Sequence, residues 1–282
     1  MSEKRVNFED CDNLVRKFEE VIENPILKES SVYYTGVDLG TACIVLAVLD
    51  ENYQPVAGAY RYADVVRDGM VVDYLGAVKI VRELKEEIEE KLNTELIYAA
   101  AAIPPGTDAL DSGAIKNVVQ AAGFELTCLL DEPTAANAVL KIENGAVVDI
   151  GGGTTGISVL KDGKVVYVVD EPTGGTHFSL VISGAYKMPF KEADKFKRDN
   201  KNHKEILPLL KPVVEKVASI ITTNVNNYDV KEISLVGGTC CLTGIEEIIN
   251  KKTGIYTHKP KNPMFVTPLG IALNCTQDII EE

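Results

Sequence analysis

The sequence is poor in the residues that build metal and redox centres. It contains three histidines, His177, His203 and His258, and none stands at a spacing that suits a metal site or a catalytic triad. No two cysteines form a C-x-x-C pair, the usual sign of a zinc or dithiol site. We therefore predict reduced cysteines that serve mostly as small core residues, at Cys11, Cys43, Cys128, Cys240, Cys241 and Cys275.

Positive charge and long apolar runs are also scarce. The chain has 29 lysine and arginine residues against 42 aspartate and glutamate residues, a formal net charge of −13. This balance argues against nucleic acid or an anionic membrane surface as a partner, because both need a basic face. No run of 18 apolar residues is present, and the N-terminus is charged where a signal peptide would be apolar. The sequence therefore predicts a cytoplasmic protein.

What the chain does contain is enough apolar sequence for a sizeable core. Of its 282 residues 45% are hydrophobic, and this length favours about two domains. Residues 147–160 read as two buried strands interrupted by Asp149, Gly151, Gly152 and Gly153. Glycines in such a turn let backbone N–H groups approach an anion, and phosphate is the leading candidate. On local grounds a plain tight hairpin is an equally good interpretation.

An earlier stretch repeats this pattern. Residues 34–50 contain a strand ending in Asp38, a turn with Gly40 and Thr41, and an apolar return strand. Two such hairpins about a hundred residues apart indicate a duplicated domain, with one phosphate-binding turn from each half facing a shared cleft.

Three further motifs stand where strands lead into helices. Glu132 follows a strand directly and precedes Pro133, a residue tolerated in a first helical turn. A carboxylate at this junction can orient a water, although an acid that simply favours a helix start is an equally good local interpretation. The other two motifs are glycine pairs, Gly174-Gly175 before a helix and Gly237-Gly238 after a strand. The first pair can hold an anion at the helix N-terminus or serve close packing.

Two helical segments flank these motifs. Apolar residues spaced by three and four over 7–24 predict an amphipathic helix, ended by Pro25. It either docks into a partner's groove or packs on its own domain. Residues 189–226 are also predicted to be helical, with 191–198 as the charged part.

Together, five of these motifs resemble the actin, Hsp70 and sugar-kinase superfamily of two-lobed nucleotide-binding proteins. Residues 36–41 and 149–154 resemble its two phosphate loops, 131–136 and 267–272 its two connecting helices, and 236–239 its adenosine motif. The resemblance implies an α/β fold, an actin-like ATPase with ribonuclease H-like duplicated domains and reduced outer subdomains. It divides the chain into an N-terminal extension (1–32), lobe I (33–144), lobe II (145–264) and a connecting helix that returns to lobe I (265–282).

Details at 63–69, 104–108 and 193–198 are similar to one branch, the chaperone-like ethanolamine-utilisation family of bacterial microcompartment operons. This resemblance implies a protein partner, either an ethanolamine-utilisation enzyme or a microcompartment shell protein. It also extends the expected location from the cytoplasm to the microcompartment.

By the same resemblance the cofactors are ATP or ADP with Mg²⁺. Asp38 and Asp149 would hold the metal through water. Glu132 and Asp149 would be the catalytic pair, with Glu132 positioning the attacking water. The residues implied in nucleotide binding are Asp38, Gly40, Thr41, Gly151, Gly152, Gly153, Thr154, Thr155, Gly174, Gly175, Gly237 and Gly238.

The sequence departs from the Hsp70 branch in two ways. Gly156 stands where Hsp70-like members carry a further acid. Few residues separate the helix starting near Gly175 from the one at 206–226, so the outer subdomain that closes over the nucleotide is expected to be missing. The insert at 50–95 is also small and shows no counterpart of the Hsp70 catalytic lysine. We therefore expect an exposed adenine and weak binding, because closure excludes water.

These features leave competing functions. The first is an ATP-binding, slowly hydrolysing chaperone-like protein whose lobe angle changes with the nucleotide. The second is a pseudo-ATPase adaptor or scaffold, with nucleotide as a structural ligand or none. A small-molecule kinase ranks third, because the chain is short for one and shows no dedicated acceptor pocket.

Overall fold

The computed structural model describes residues 8–27, 29–67 and 69–278. Residues 1–7 and 28 of the predicted extension, and Asp68 of the 63–69 stretch, lie outside the described residues. No helix in the described ranges is both long and apolar enough to span a membrane.

The first lobe is built on one five-stranded sheet with the order β3-β2-β1-β6-β7. Strands β1 to β3 are antiparallel, while β6 and β7 run parallel to β1. Two short strands, β4 and β5, form a small hairpin between the sheet and its first helix. The elements are β1 (Tyr34–Leu39), β2 (Cys43–Leu49), β3 (Pro55–Tyr62), β4 (Val66–Arg67), β5 (Met70–Val71), α2 (Tyr74–Leu92), β6 (Tyr98–Ile103), α3 (Ala109–Ala121) and β7 (Glu125–Asp131).

The second lobe repeats this sheet with the order β10-β9-β8-β11-β12. Its first three strands are again antiparallel and its last two parallel. The same order and directions in both sheets confirm the predicted duplication. The elements are β8 (Gly145–Ile150), β9 (Thr155–Lys161), β10 (Lys164–Glu171), α5 (Gly175–Tyr186), α6 (Phe190–Arg198), α7 (His203–Val225), β11 (Glu232–Val236), α8 (Ile245–Thr253) and β12 (Tyr256–His258).

Two helices, α4 (Glu132–Leu140) and α9 (Val266–Leu273), cross between the sheets. A Cβ atom on Gly270 would lie far inside van der Waals contact with the carbonyl oxygen of Ala135, so only glycine allows this crossing. Glycine is also required at Gly36 on β1, because a Cβ there would lie 2.5 Å from the carbonyl oxygen of Pro268 in α9. The two helices therefore pack backbone to backbone on each other, and α9 packs in the same way on β1 of the first lobe.

The N-terminal helix α1 (Glu9–Glu23) packs on its own chain. This was one of the two predicted alternatives, the other being docking into a partner's groove. Its apolar face is buried at Cys11, Val15, Phe18 and Val21. The Phe18 ring lies against Gly58 of β3. A Cβ on Gly58 would lie only 2.4–2.6 Å from ring atoms of Phe18, so any larger residue there would displace the ring. The same apolar cluster includes residues of β2, α4 and α9, so the helix is part of the core.

The structure corrects some predicted elements. Residues 189–226 form two helices, because Asp199 is extended and its side chain accepts a hydrogen bond from the Lys201 amide, starting a short 3₁₀ turn. Helix α8 begins at Ile245, directly after Gly244 at φ 85°.

Candidate functional site

The second predicted phosphate loop is held from behind by α5. The Gly151 carbonyl oxygen accepts hydrogen bonds from the Gly175 amide at 3.0 Å and from Thr239 Oγ1 at 2.7 Å, and the Gly152 oxygen accepts one from the Thr176 amide at 2.7 Å. Among the described residues, the N–H groups of Gly152 and Gly153 have no acceptor. The turn is thus fixed through its carbonyls and keeps amide donors for an anion.

The two predicted loops meet directly. A Cβ on Gly152 would lie 2.9 Å from the Cβ of Ala42 and 3.3 Å from the Cβ of Thr41, both in the first loop. The loops and the strand-to-helix junctions line one cavity of about 100 Å³. The predicted site residues that line it are Asp38, Gly40, Thr41, Glu132, Asp149, Gly151, Gly152, Gly153, Thr154, Gly237 and Gly238.

Three predicted binding residues lie behind the loop and do not line this cavity. Thr155 is buried, and its Oγ1 donates to the Thr173 carbonyl oxygen at 2.5 Å. A Cβ on Gly174 would come within 2.7 Å of the carbonyl carbon of Gly153, so its close approach supports the turn. Gly175 holds the loop through its amide, as described above. These residues support the loop from behind, and their role in nucleotide binding stays a prediction.

Three carboxylates face the small cavity from three elements: Asp38 near the end of β1, Asp149 in β8 and Glu132 at the start of α4. Asp149 is buried, and its Oδ2 accepts a hydrogen bond from Thr267 Oγ1 at 2.6 Å. Asp131 is the N-cap of α4, since its Oδ1 accepts from the Thr134 amide at 2.9 Å. Glu132 is therefore free of the capping role and faces the cavity.

Burial raises the pKa of all three carboxylates, and neighbouring acids add to the effect at Asp38 and Glu132. Burial, followed by the charge of Asp149, raises the pKa of Asp38 to about 7. Burial raises the pKa of Asp149 to about 6, although the hydrogen bond from Thr267 lowers it. The pKa of Glu132 is raised well above its ordinary value, first by burial and then by Asp149, Asp38, Asp170 and Asp131. Such a group favours a bound cation, because a positive charge restores all three to their ionised form.

The donor set fits Mg²⁺ held through water. Among the described residues no three histidine, cysteine or acidic side chains are placed to ligate a metal together. Mg²⁺ keeps several waters and commonly uses one or two carboxylates with substrate phosphates, so it does not need a full protein cage. Asp38 and Asp149 beside two amide-lined loops meet that description.

A larger cavity of about 730 Å³ adjoins the loops at Thr41, Ala42 and Gly152. This is within the usual size range of small-molecule pockets. Helix α6 forms part of its wall, as do the end of β3 and the segment that follows it in the first lobe. The guanidinium of Arg198 lies 3.6 Å from the centre of the Tyr62 ring, so α6 reaches across from the second lobe to the first. The short segment between α5 and α7 therefore lines this larger cavity, while the expected absence of a closing outer subdomain stays a prediction.

The sequence interpretation missed two polar residues of α6 that line this cavity, Asp194 and Lys197. Lys197 Nζ lies 2.8 Å from the Gly175 carbonyl oxygen, 2.8 Å from Ser179 Oγ and 3.0 Å from Asp194 Oδ1. Burial lowers the pKa of Lys197, while Lys197 holds the pKa of Asp194 below its ordinary value against the effect of burial. The sequence did contain a signal for Lys197. It stands four residues after Ala193, which is buried, and this spacing places its charge on the apolar face of the helix.

Two matching sheets, with a glycine turn from each facing one acidic cavity, define an actin-like ATPase fold. The family described as MreB/Mbl protein matches residues 45–191, and the family described as type IV pilus assembly protein PilM matches residues 138–264. The structure of MreB5 of Spiroplasma citri bound to ADP superposes with a TM-score of 0.68 at 18% identity, covering 86% of this chain and 96% of that chain. The predicted fold class is thus confirmed.

More similar proteins narrow the class. The ethanolamine utilization protein EutJ of Salmonella typhimurium is 44% identical over 240 residues, 85% of this chain and 84% of that protein. The crystal structure of ethanolamine utilization protein EutJ from Carboxydothermus hydrogenoformans is 49% identical, with a TM-score of 0.88 and coverage of 93% of this chain and 97% of that chain. The chain belongs to the EutJ family of ethanolamine utilization proteins, as the sequence resemblance predicted.

Proposed function

We propose that this protein is an ATP-binding, chaperone-like member of the ethanolamine-utilisation system that hydrolyses ATP slowly with Mg²⁺. The observation that carries the proposal is the convergence of three carboxylates and two glycine-containing loops on one small cavity. The related MreB5 fold is described with both ADP and AMPPNP bound, which supports a nucleotide as the ligand.

The residues have distinct roles in this proposal. The glycine amides of the two loops, with the hydroxyls of Thr41 and Thr154, bind the β and γ phosphates. Asp38 and Asp149 hold Mg²⁺ through water, and the metal supplies charge stabilisation at the phosphates when bound. Glu132 orients the attacking water, because phosphoryl transfer depends mainly on positioning. Gly237 and Gly238 bind the adenosine, with open space at Gly238, where a Cβ would meet Met264 only at 3.9 Å, and close packing of Gly237 against Asp149 and Ile150.

A partner protein would bind differently to the nucleotide states of this protein. Changes at the cavity act on α4 and α9, so the lobe angle is the natural output. We infer that the reader is an ethanolamine-utilisation enzyme or a microcompartment shell protein, and that the protein acts in the cytoplasm at the microcompartment. Binding of each purified candidate in Mg²⁺-ADP and in a non-hydrolysable ATP analogue tests this. Equal affinity in both states for every candidate would contradict it.

Phosphate release with Mg²⁺-ATP tests the ATPase proposal. We expect Glu132→Gln to lower the rate at least about tenfold while calorimetry still detects nucleotide, because water positioning acts mainly on the chemical step. Asp149→Ala should lose both turnover and tight Mg²⁺-nucleotide binding. Glu143→Gln, an exposed substitution, is the matched control. Identical background rates in all four proteins, with ATP still bound, would instead support the alternative of a pseudo-ATPase adaptor or scaffold.

A further inference from the structure

The carbonyl oxygen of Gly151 joins the second phosphate loop to two other parts of the site. It accepts hydrogen bonds from Thr239 Oγ1, in the predicted adenosine motif, and from the Gly175 amide, at the start of α5. The contacts continue from α5 to α6, because Lys197 Nζ donates to the Gly175 carbonyl oxygen at 2.8 Å. The loop is thus tied on one side to the adenosine motif and on the other to α6.

His203, the first residue of α7, connects the far ends of these contacts. Its Nε2 lies 3.0 Å from the carbonyl oxygen of Lys197, and its Nδ1 accepts a hydrogen bond from the Thr243 amide at 3.1 Å. Thr243 stands four residues after Thr239 in the chain. The hydrogen bonds therefore form a closed circuit from the phosphate loop through α5, α6 and α7 to the segment that follows the adenosine motif.

Only one form of the His203 side chain fits this circuit. A backbone amide can only donate, so Nδ1 must carry a lone pair toward Thr243. A carbonyl oxygen can only accept, so Nε2 must carry the proton toward Lys197. A second proton would put an N–H group on Nδ1, which would turn to Thr243 Oγ1 at 3.0 Å and leave the amide without its acceptor. The circuit therefore requires a neutral imidazole.

The surroundings of His203 favour that neutral form. Its side chain is buried, and burial lowers its pKa below the ordinary value. The charge of Lys259, which is paired with Glu246 at 2.9 Å, lowers the pKa further. The hydrogen bond with the Lys197 carbonyl and the charge of Asp199 act in the opposite direction. Since the ordinary pKa of histidine is about 6.5, His203 is neutral at pH 7 and above.

We propose that His203 is a positioning residue of the nucleotide site and holds the adenosine motif in place relative to the second phosphate loop. It lines neither cavity and acts through Thr243. Thr239 fixes one end of the segment 239–243 and His203 fixes the other, so that without His203 the segment pivots about Thr239. A ligand that spans both motifs then binds less tightly, whereas one that contacts only the phosphate loop does not. The inference rests on the function proposed above, and its test separates the two.

Two variants divide the hydrogen bonds of His203. Asparagine carries an oxygen near the position of Nδ1 and can accept from the Thr243 amide. Glutamine carries an N–H group near the position of Nε2 and can donate to the Lys197 carbonyl oxygen, but it leaves Thr243 without an acceptor. Calorimetry at pH 7.5 compares both variants with the wild-type chain, using Mg²⁺-ADP as the ligand that spans both motifs and Mg²⁺-pyrophosphate as the one that does not.

We expect His203→Gln to raise the dissociation constant of Mg²⁺-ADP about three- to tenfold, because the Thr243 anchor is lost. The loss is partial, since Lys259 Nζ also holds this segment through the carbonyl oxygens of Cys240 and Leu242, each at 2.9 Å. His203→Asn should stay within about twofold of the wild-type value. Mg²⁺-pyrophosphate should bind equally to all three proteins.

The pH dependence of melting gives a second measurement. Because the pKa of His203 is lowered in the folded state, the unfolded state binds more protons below about pH 6.5, and this histidine destabilises the fold as pH falls. Asparagine does not titrate. The melting temperature of the wild-type chain relative to that of His203→Asn should therefore fall by about 2–4 °C from pH 7.5 to pH 5. Lys204→Gln, an exposed substitution at the next position of α7, is the matched control and should change neither measurement.

The outcomes distinguish this inference from the proposed function. Equal weakening of Mg²⁺-ADP and Mg²⁺-pyrophosphate in His203→Gln would overturn the inference, as would a loss in His203→Asn as large as in His203→Gln. If the wild-type chain binds Mg²⁺-ADP and both variants bind it equally well, the role of His203 is wrong and the proposed function stands. If the wild-type chain binds no Mg²⁺-ADP, the proposed function fails and the inference falls with it.

Discussion

Replacing Asp38 with asparagine should stabilise the ligand-free protein at alkaline pH. The pKa of Asp38 is raised from 3.8 to about 7 by burial and by Asp149. Between these two values the folded state binds more protons than the unfolded state, so the free energy of unfolding falls as pH rises through that range. Asparagine is neutral at every pH and does not undergo this loss.

The size of the effect follows from the shift. Each pKa unit corresponds to 1.36 kcal/mol, so a shift of about three units is equivalent to about 4 kcal/mol at pH above 7. Asp38 is only partly buried and shares its repulsion with Asp149, which reduces the effect. We therefore expect the advantage of Asp38→Asn over the wild-type chain to grow by about 2 kcal/mol between about pH 5 and about pH 8.

Urea denaturation in the presence of a chelator measures this difference across the pH range. The control is Asp162→Asn, an exposed substitution in the turn between β9 and β10, which should follow the wild-type curve at all pH values. Saturating Mg²⁺-ADP should reverse the order, because the cation stabilises the wild-type carboxylates and the variant has lost one of them. Parallel curves for Asp38→Asn and the wild-type chain would refute the argument, as would a variant that is less stable at alkaline pH.

Three other substitutions test separate parts of the structure. Gly152→Ala should force the two loops apart at Ala42 and weaken Mg²⁺-ADP binding about tenfold by calorimetry, whereas Gly184→Ala, where a Cβ meets nothing within 4 Å, should not. Lys197→Met should cost about 1.5–3 kcal/mol in urea denaturation, because it removes the charged donor that Asp194 and the Gly175 carbonyl oxygen share, while Arg198 and Ser179 still contact Asp194, and unchanged stability would contradict this. Phe18→Ala should cost about 3–5 kcal/mol, since its ring is fully buried. Unchanged stability of Phe18→Ala would instead favour the alternative that α1 docks into a partner's groove.

The hairpins of both lobes were predictable because their signals are local. An acid at the end of an apolar strand, glycines in the turn and an apolar return strand specify β1–β2 and β8–β9 without reference to the rest of the chain. The duplication then predicts that both turns face one cleft. Most of the residues that line the small cavity come from these local motifs, and they were identified on that basis.

Features that depend on tertiary contacts were not predictable in the same way. Residues on both sides of Asp199 have helical patterns, and the break between α6 and α7 is marked by side-chain hydrogen bonds of Asp199 and Asn202. The contact of Arg198 with Tyr62 joins residues more than a hundred positions apart. The pairing of Gly156 with Asp170 depends on a single bulge, and composition does not reveal a register shift of one residue.

The start points of the connecting helices link the site to the lobes. Glu132 is the first residue of α4, and the hydroxyl of Thr267, near the start of α9, donates a hydrogen bond to Asp149. The two helices then cross at Gly270 and Ala135 with no room for a methyl group. Tightly packed backbones move together rather than deform, so the proposed lobe movement requires both helices to shift as a pair. The cavity carboxylates lie where this shift would start, because Glu132 begins α4 and Asp149 is bonded to Thr267 of α9.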